Sequence, residues 1–399
     1  MRKIGLALVM ISVTIIGFTQ TKIANKFGKG FYNVIAEDSS YSMKLAARFQ
    51  TLYVGEWDID GDDGIQEGTS NFLIRRARLK FGGFVYSPKV VYKIEFALSN
   101  RDMSGASAET KNAPRYVLDA VVKWNFAGNF VLWAGQTKLP GNRERVISSA
   151  NLQFVDRSLL NSKFNIDRDM GLQLRHHVVL GKSFTIREMV AFSQGDGRNI
   201  TVKNIGGYQY TGRIEILPMG KFASKGDYVG GDMKREKKPK LSIALSYDYN
   251  DRAVREHGNL KGFMYTDAGY YETTVSTIFA DLMFKWNGVS LMAEYANKQA
   301  VDPIAKNSDG TETGDKVYVG QGMNIALGYL FKNNWEIAGR YTAIIPEDII
   351  GNSYSQYTLG ISRYVVGHKL KVQGDVSYNT FSGSNDTGLM TRLQIDVHF

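Results

Sequence analysis

The chain has 399 residues and no cysteine, which excludes disulfides and cysteine-ligated zinc. Its 41 glycines, 22 tyrosines and 21 phenylalanines beside only seven prolines favour β-structure. The formal charge is +10, two units of it at Arg2 and Lys3, and the length suits two or three ordinary domains or one large β-barrel.

The first stretch, MRKIGLALVMISVTIIGFTQ, follows Arg2 and Lys3 with an apolar run from Ile4 to Phe18. Gly17 and Thr19 are small enough for cleavage before Gln20, the pattern of a secretory signal over residues 1–19. The run is too short for a membrane-spanning helix, which needs ~20 residues. No later run reaches that length, so the exported part, 20–399, is expected to be either soluble or a barrel.

From residue 42 the chain alternates apolar and polar residues in sixteen segments, near 42–56, 71–85, 90–100, 114–126, 130–138, 169–178, 184–194, 207–217, 240–250, 276–286, 288–298, 317–331, 334–343, 354–364, 368–378 and 387–399. An even number of segments about ten residues long matches tilted strands crossing a hydrocarbon layer. After the first segment, WDIDGDDGIQEG (57–68) places Asp58, Asp60 and Asp62 like the first ligands of a calcium loop. Asp63 and Thr69 stand where an EF-hand needs Gly and Glu, so an acidic exposed loop is the better account.

The second segment, NFLIRRARLKFGGFV, puts Arg76, Arg78 and Lys80 on one face. Arg75 falls on the apolar face near the strand start, where its stem is expected to snorkel. In VVYKIEFALS, Val90, Tyr92, Ile94, Phe96 and Leu98 oppose Lys93 and Glu95; in the fourth segment Lys123 lies on the polar face, and in the sixth Arg175 does. If the apolar face meets lipid, these cations line a lumen and attract anions, against Glu95, Asp119, Glu188 and Glu215 on or near the same faces. Trp124, Phe126, Phe130, Trp133, Trp286, Trp335 and Phe399 sit near segment ends, where a membrane belt is expected.

Connections after even-numbered segments are short, as at SPK (87–89), AGN (127–129) and NG (287–288), whereas those after odd-numbered segments are long. That asymmetry belongs to outer-membrane barrels. One connection, 218–239 with MKREKKPK, breaks the rule and is expected to be a solvated basic link near anionic headgroups, not a nucleic-acid site. His176 and His177 are adjacent, so on a strand they point to opposite faces and cannot clamp a metal. No nucleophile motif is present, so neither catalytic residues, a metal nor a cofactor is assigned.

The third long connection contains NLQFVDRSLLNSKFNIDRD (151–169), which has no period of two. Within WAGQTKLPGNRERVISSANLQFVDRSLLNSKFNIDRDMGLQL (133–174) it resembles the central signature of the phosphate-selective porin O/P family, as do LIRRARLKFGGFVYSPKVVYKIEF, YTGRIEILPMG and KLSIALSYDYNDRA. The loop style and the start at Gln20 resemble the Bacteroidota branch. The resemblance implies an all-β transmembrane barrel of about sixteen antiparallel strands, commonly a homotrimer in outer-membrane lipid, with loop 139–168 folded inward as a constriction. It implies passive diffusion of small solutes, with anions such as phosphate preferred. Carried onto this chain, it makes Arg143, Arg145, Arg157 and Lys163 constriction candidates, beside Arg76, Arg78, Lys80, Lys93, Lys123 and Arg175 on the wall. Arg157 and Lys163 are expected to face the pore, with Phe154, Leu159 and Phe164 as wall anchors. The loop departs from a dense cationic ladder because Glu144, Asp156, Asp167 and Asp169 interleave its basic residues. The alternative reading is a plugged barrel serving as a structural partner of other outer-membrane proteins.

Overall fold

A computed structural model describes residues 26–60, 64–383 and 387–399. The expected signal segment and Asp62 lie outside the described residues.

Sixteen antiparallel strands form one closed sheet: β1 Ser42–Asp60, β2 Thr69–Val85, β3 Ser87–Ala97, β4 Val117–Ala127, β5 Phe130–Lys138, β6 Arg168–Leu180, β7 Phe184–Ser193, β8 Gln209–Leu217, β9 Lys240–Ala253, β10 Thr273–Trp286, β11 Val289–Ala300, β12 Gly320–Leu330, β13 Trp335–Pro346, β14 Tyr354–His368, β15 Leu370–Phe381 and β16 Thr387–His398. Each strand pairs with its neighbours in sequence, and β1 closes the ring by pairing with β16, Arg48 opposite His398 and Leu52 opposite Gln394. All sixteen expected segments are present. A short extra strand, Tyr32–Ile35, pairs with the start of β1.

The pattern of burial is inverted relative to a soluble protein. On β9, Ser246 is 1% exposed while Leu245 beside it is 52% exposed. The same holds along the strand, with Ser242, Asp248 and Asn250 inside and Ile243, Tyr247 and Tyr249 outside. In water such a surface would be an aggregation hazard; in a bilayer the apolar face meets acyl chains and closure leaves no unpaired edge. Many inward polar groups are paired with one another: Thr211 Oγ1 donates to Asp248 at 2.7 Å and Gln209 Nε2 at 2.9 Å.

Turn chemistry explains the short connections. Between β10 and β11 only Asn287 and Gly288 intervene, with φ of 48° and 96°. Both angles suit the twist of a two-residue hairpin, which is why Asn-Gly occurs there.

Two sequence expectations are corrected. Arg75 does not snorkel outward. The β1–β2 register passes from Gln50↔Arg76 to Thr51↔Ile74, so Arg75 is the extra residue of a β-bulge. The bulge re-aims it inward, where it meets Asp156 at 2.7 Å, and beyond it Phe72 and Ile74 face outward. Trp133 is not in the outer belt with Trp124, Phe126, Phe130, Trp286, Trp335 and Phe399, which are all exposed. It points into the lumen, opposite Lys123.

Candidate permeation pathway

The third long loop, L3 (139–167), folds into the barrel. Two short helices, α1 Arg143–Val146 and α2 Leu159–Phe164, account for its missing strand period. Ser158 caps α2, its Oγ accepting from Asn161 N at 3.2 Å. Ile147, Leu152 and Phe154 pack on inward residues Leu217, Met283, Met292, Ala326 and Ala338. Leu160, Phe164 and Ile166 pack on Ala191, Phe279, Ala296 and Ile344, with Leu159 half-buried beside them. The wall makes room with glycine. A Cβ on Gly322 would come 3.0 Å from both Leu160 and Phe164, and one on Gly360 the same distance from Phe154.

Polar contacts pin L3 on several sides. Arg143, fully buried, pairs with Asp281 at 2.9 Å and Glu215 at 3.3 Å. Across the lumen, Lys371 Nζ donates to Leu152 O at 2.9 Å, Gln373 Nε2 donates to Gln153 O at 2.7 Å, and Asp375 accepts from Val155 N at 3.1 Å. On β1 and β2, Arg48 donates to Ser149 O at 3.0 Å, and Asp156 accepts from Arg75 and from Arg76.

The odd connection, 218–239, is not the solvated link its basic residues suggest. Lys234, Lys237 and Lys238 are exposed, yet Gly226, Asp227 and Gly230–Asp232 are buried inside the barrel from the short-turn end. Buried Lys285 on β10 donates to the carbonyls of Gly226 at 2.8 Å, Val229 at 2.6 Å and Gly231. Asp232 accepts from Gly288 N at 2.8 Å. L3 and this turn together fill the lumen on the side of β8 to β14.

The space that remains runs along β16 and β1 to β7 as a series of cavities. A central one of about 380 Å³ is lined by ten basic side chains (Arg75, Arg76, Arg78, Arg101, Lys138, Arg145, Arg157, Arg168, Arg198, Arg392) and three acidic ones (Asp102, Asp156, Asp167). It opens toward the long loops through a cavity of about 470 Å³ with which it shares Arg101, Asp156 and Arg392. Toward the short turns it meets a cavity of about 230 Å³ at a neck formed by Arg78, Lys138, Ser149 and Arg168. That cavity in turn shares Lys123, Trp133 and Arg175 with a mouth of about 500 Å³.

Many of these cations hold internal counter-ions. Arg78 pairs with Glu95 at 3.1 Å and Asp102 at 2.7 Å, Lys93 with Asp119 at 2.6 Å, and Arg168 with Asp119 at 3.2 Å. Arg145 pairs with Asp167, Nε to Oδ1 at 2.7 Å. Arg157 makes no ion pair within 4.0 Å among the described residues and donates instead to the carbonyls of Glu144 and Ile147, each at 2.9 Å. Burial first, and Arg145 next, pull its pKa down to about 9, so it stays charged at neutral pH.

Of the expected pathway residues, the structure gathers Arg76, Arg78, Arg145 and Arg157 around the central cavity and Arg78, Lys93, Lys123 and Arg175 around the one below. Lys80 lines a side cavity near Phe399, with Lys93. Arg143 stands off as a buried anchor, and Lys163 lies over the rings of Tyr318 and Tyr354, at 4.8 and 5.7 Å, outside these cavities. Sequence reasoning missed Arg101, Lys138, Arg168, Arg198 and Arg392. Arg392 was visible on the polar face of the last strand; Arg101 and Arg198 sit in connections with no period to mark them.

A family model described as "Phosphate-selective porin O and P" matches residues 47–395. An uncharacterized protein of Aquifex aeolicus is 24% identical over 339 residues, 79% of this chain and 77% of its own length. Among solved structures, OmpF of Salmonella typhi in complex with daunomycin superposes with a TM-score of 0.55 at 12% identity, covering 91% of this chain and 99% of that one. The anion-selective porin from Comamonas acidovorans superposes with a TM-score of 0.52 at 11% identity, covering 90% of this chain and 100% of that one. At these identities the structural matches establish the barrel fold.

Proposed function

The chain belongs to the phosphate-selective porin O and P family, and on that premise we propose that this outer-membrane channel passes small inorganic anions, phosphate among them, in preference to cations. The observation that carries the reading is the excess of ten basic over three acidic side chains around the central cavity. A low-dielectric wall with that excess concentrates anions. Guanidinium forks replace part of an oxyanion's hydration shell, and the resident carboxylates keep each site weak enough for the ion to leave. Arg78 and Arg168, at the neck, together with Arg157, carry the selection. Assembly as a homotrimer accompanies this reading.

Planar bilayers test it. In a potassium chloride gradient the reversal potential should report anion preference, and phosphate should partly block chloride current. Cation preference, or indifference to Arg78→Gln and Arg157→Gln together, would overturn the proposal.

A second reading keeps the barrel and denies it traffic. It is favoured by the meeting of L3 and the 218–239 turn inside the lumen, where Gly230 N donates to Asn151 O at 2.7 Å. A plugged barrel acting as a structural partner would purify in a complex of fixed stoichiometry and show negligible conductance alone.

A further inference from the structure

We propose that the short-turn mouth of the channel contains a second station, below the neck, that binds organic anions with an apolar body. The proposal rests on the anion-channel reading and adds a ligand class to it.

Trp133 projects inward from β5 between cations of the two adjacent strands. Lys123 Nζ of β4 lies 3.6 Å from its ring centroid and the Arg175 guanidinium carbon of β6 lies 3.7 Å from it. The register fixes this arrangement, with Lys123 opposite Trp133 and Arg175 opposite Val131, one pair further along. Neither cation has an ion-pair partner within 4.0 Å among the described residues. Arg175 donates to Gln173 Oε1 at 2.7 Å, and both cations rest on the π-face of the indole.

This differs in kind from the arginine cluster above the neck. There, carboxylates compensate many of the cations, as Asp156 does Arg75 and Asp102 does Arg78. At Trp133 the ring's quadrupole stabilises the charges instead, which leaves N–H donors free. The mouth beside them, about 500 Å³, is lined also by Arg187, Lys221 and Lys225, and on its apolar side by Met189, Phe222 and Tyr228. Inorganic phosphate gains nothing from that apolar wall. An anion with a hydrocarbon body gains hydrophobic contact in addition to its charge, and the volume falls within the range of small-molecule sites.

Benzoate, acetate and inorganic phosphate are the probes, added singly to either side of a bilayer containing the full-length channel carrying chloride current. Benzoate should block at a concentration about tenfold below acetate, a difference worth ~1.4 kcal/mol. Lys123→Gln and Arg175→Gln should each weaken block by benzoate several-fold, and by a larger factor than they weaken block by phosphate. Trp133→Phe should retain part of the benzoate effect and Trp133→Leu lose it, with heat-modifiable gel migration confirming a closed barrel in each variant. Equal block by benzoate and acetate, or benzoate block that survives both cation variants, overturns the second station. If either result comes from a channel that remains anion-selective, the anion-channel reading stands and only this inference falls.

Discussion

The amide of Gly230, in the turn after β8, donates to the carbonyl of Asn151, in L3, at 2.7 Å. A connection from the short-turn end and a loop from the long-loop end therefore meet inside the barrel, and each satisfies a backbone group of the other that burial would leave costly. The cavities that remain lie mainly along β1 to β7 and β16.

Lys285 holds that arrangement, because its ammonium serves three carbonyls of the turn. Lys285→Met removes the donors, and each orphaned carbonyl costs ~1–3 kcal/mol. The barrel ladder does not depend on these contacts, so the turn should loosen while the barrel stays closed. The expected outcome is noisier and larger single-channel conductance. Replacing 224–238 by a tight turn should raise conductance by about twofold or more, as expected of a pore limited by its lining. Unchanged conductance in both variants would show that the turn obstructs nothing.

Asp156 offers a sharper test of selection. It accepts from Arg75 at 2.7 Å and from Arg76 at 3.0 Å, placing a negative charge where the central cavity opens into the one toward the long loops. Asp156→Asn keeps the shape and removes the charge. The ratio of anion to cation permeability should rise, by roughly threefold if the local dielectric is intermediate between water and protein. The carboxylate is partly exposed, so the stability cost should stay below that of a fully buried pair. A reversal potential that moves toward cation preference would refute the assignment of this cavity to the pathway.

The strands were legible because period-two alternation over about ten residues marks β-strand with one apolar and one polar face. What failed was local. Arg75 was misplaced because alternation was extended through a bulge that composition does not announce. Trp133 was read as a belt residue from its nearness to a strand end, although its parity with Val131 and Thr137 places it inward. The 218–239 turn was read from MKREKKPK, while the part that enters the barrel is the quieter GDYVGGD just before it. Arg143 and Arg157 are indistinguishable in sequence. Only the third dimension shows that Asp281 and Glu215 await the first, and carbonyls alone the second.

L3 should be separable from the barrel energetically. Phe164 is fully buried against Phe279 and Ile344, and truncation of such a residue costs ~3–5 kcal/mol. Phe164→Ala, or Gly322→Leu from the wall side, should therefore expose L3 to trypsin at Arg145, Arg157 and Lys163. Heat-modifiable migration of the barrel should be preserved. Protection of L3 equal to that of the parent in both variants would contradict the packing described.

Asp196, in the connection after β7, supplies a pH-dependent behaviour. Burial raises its pKa from the ordinary carboxylate range to about 6, against the lowering effect of its hydrogen bond from Ile205 N at 3.2 Å. Arg255 holds the same segment through the Asp196 carbonyl at 2.8 Å. A group whose pKa is higher in the folded state binds its proton more tightly there, so its stabilising contribution is complete below the unfolded pKa and is lost as pH rises through about 6. The 194–208 connection should accordingly be better protected at pH 5 than at pH 7.5, as read by amide hydrogen exchange after correction for intrinsic rates. Asp196→Asn cannot ionise and should keep the acidic level of protection at both pH values. A wild-type connection equally protected at the two, or an Asn variant that still responds to pH, would place the titration elsewhere.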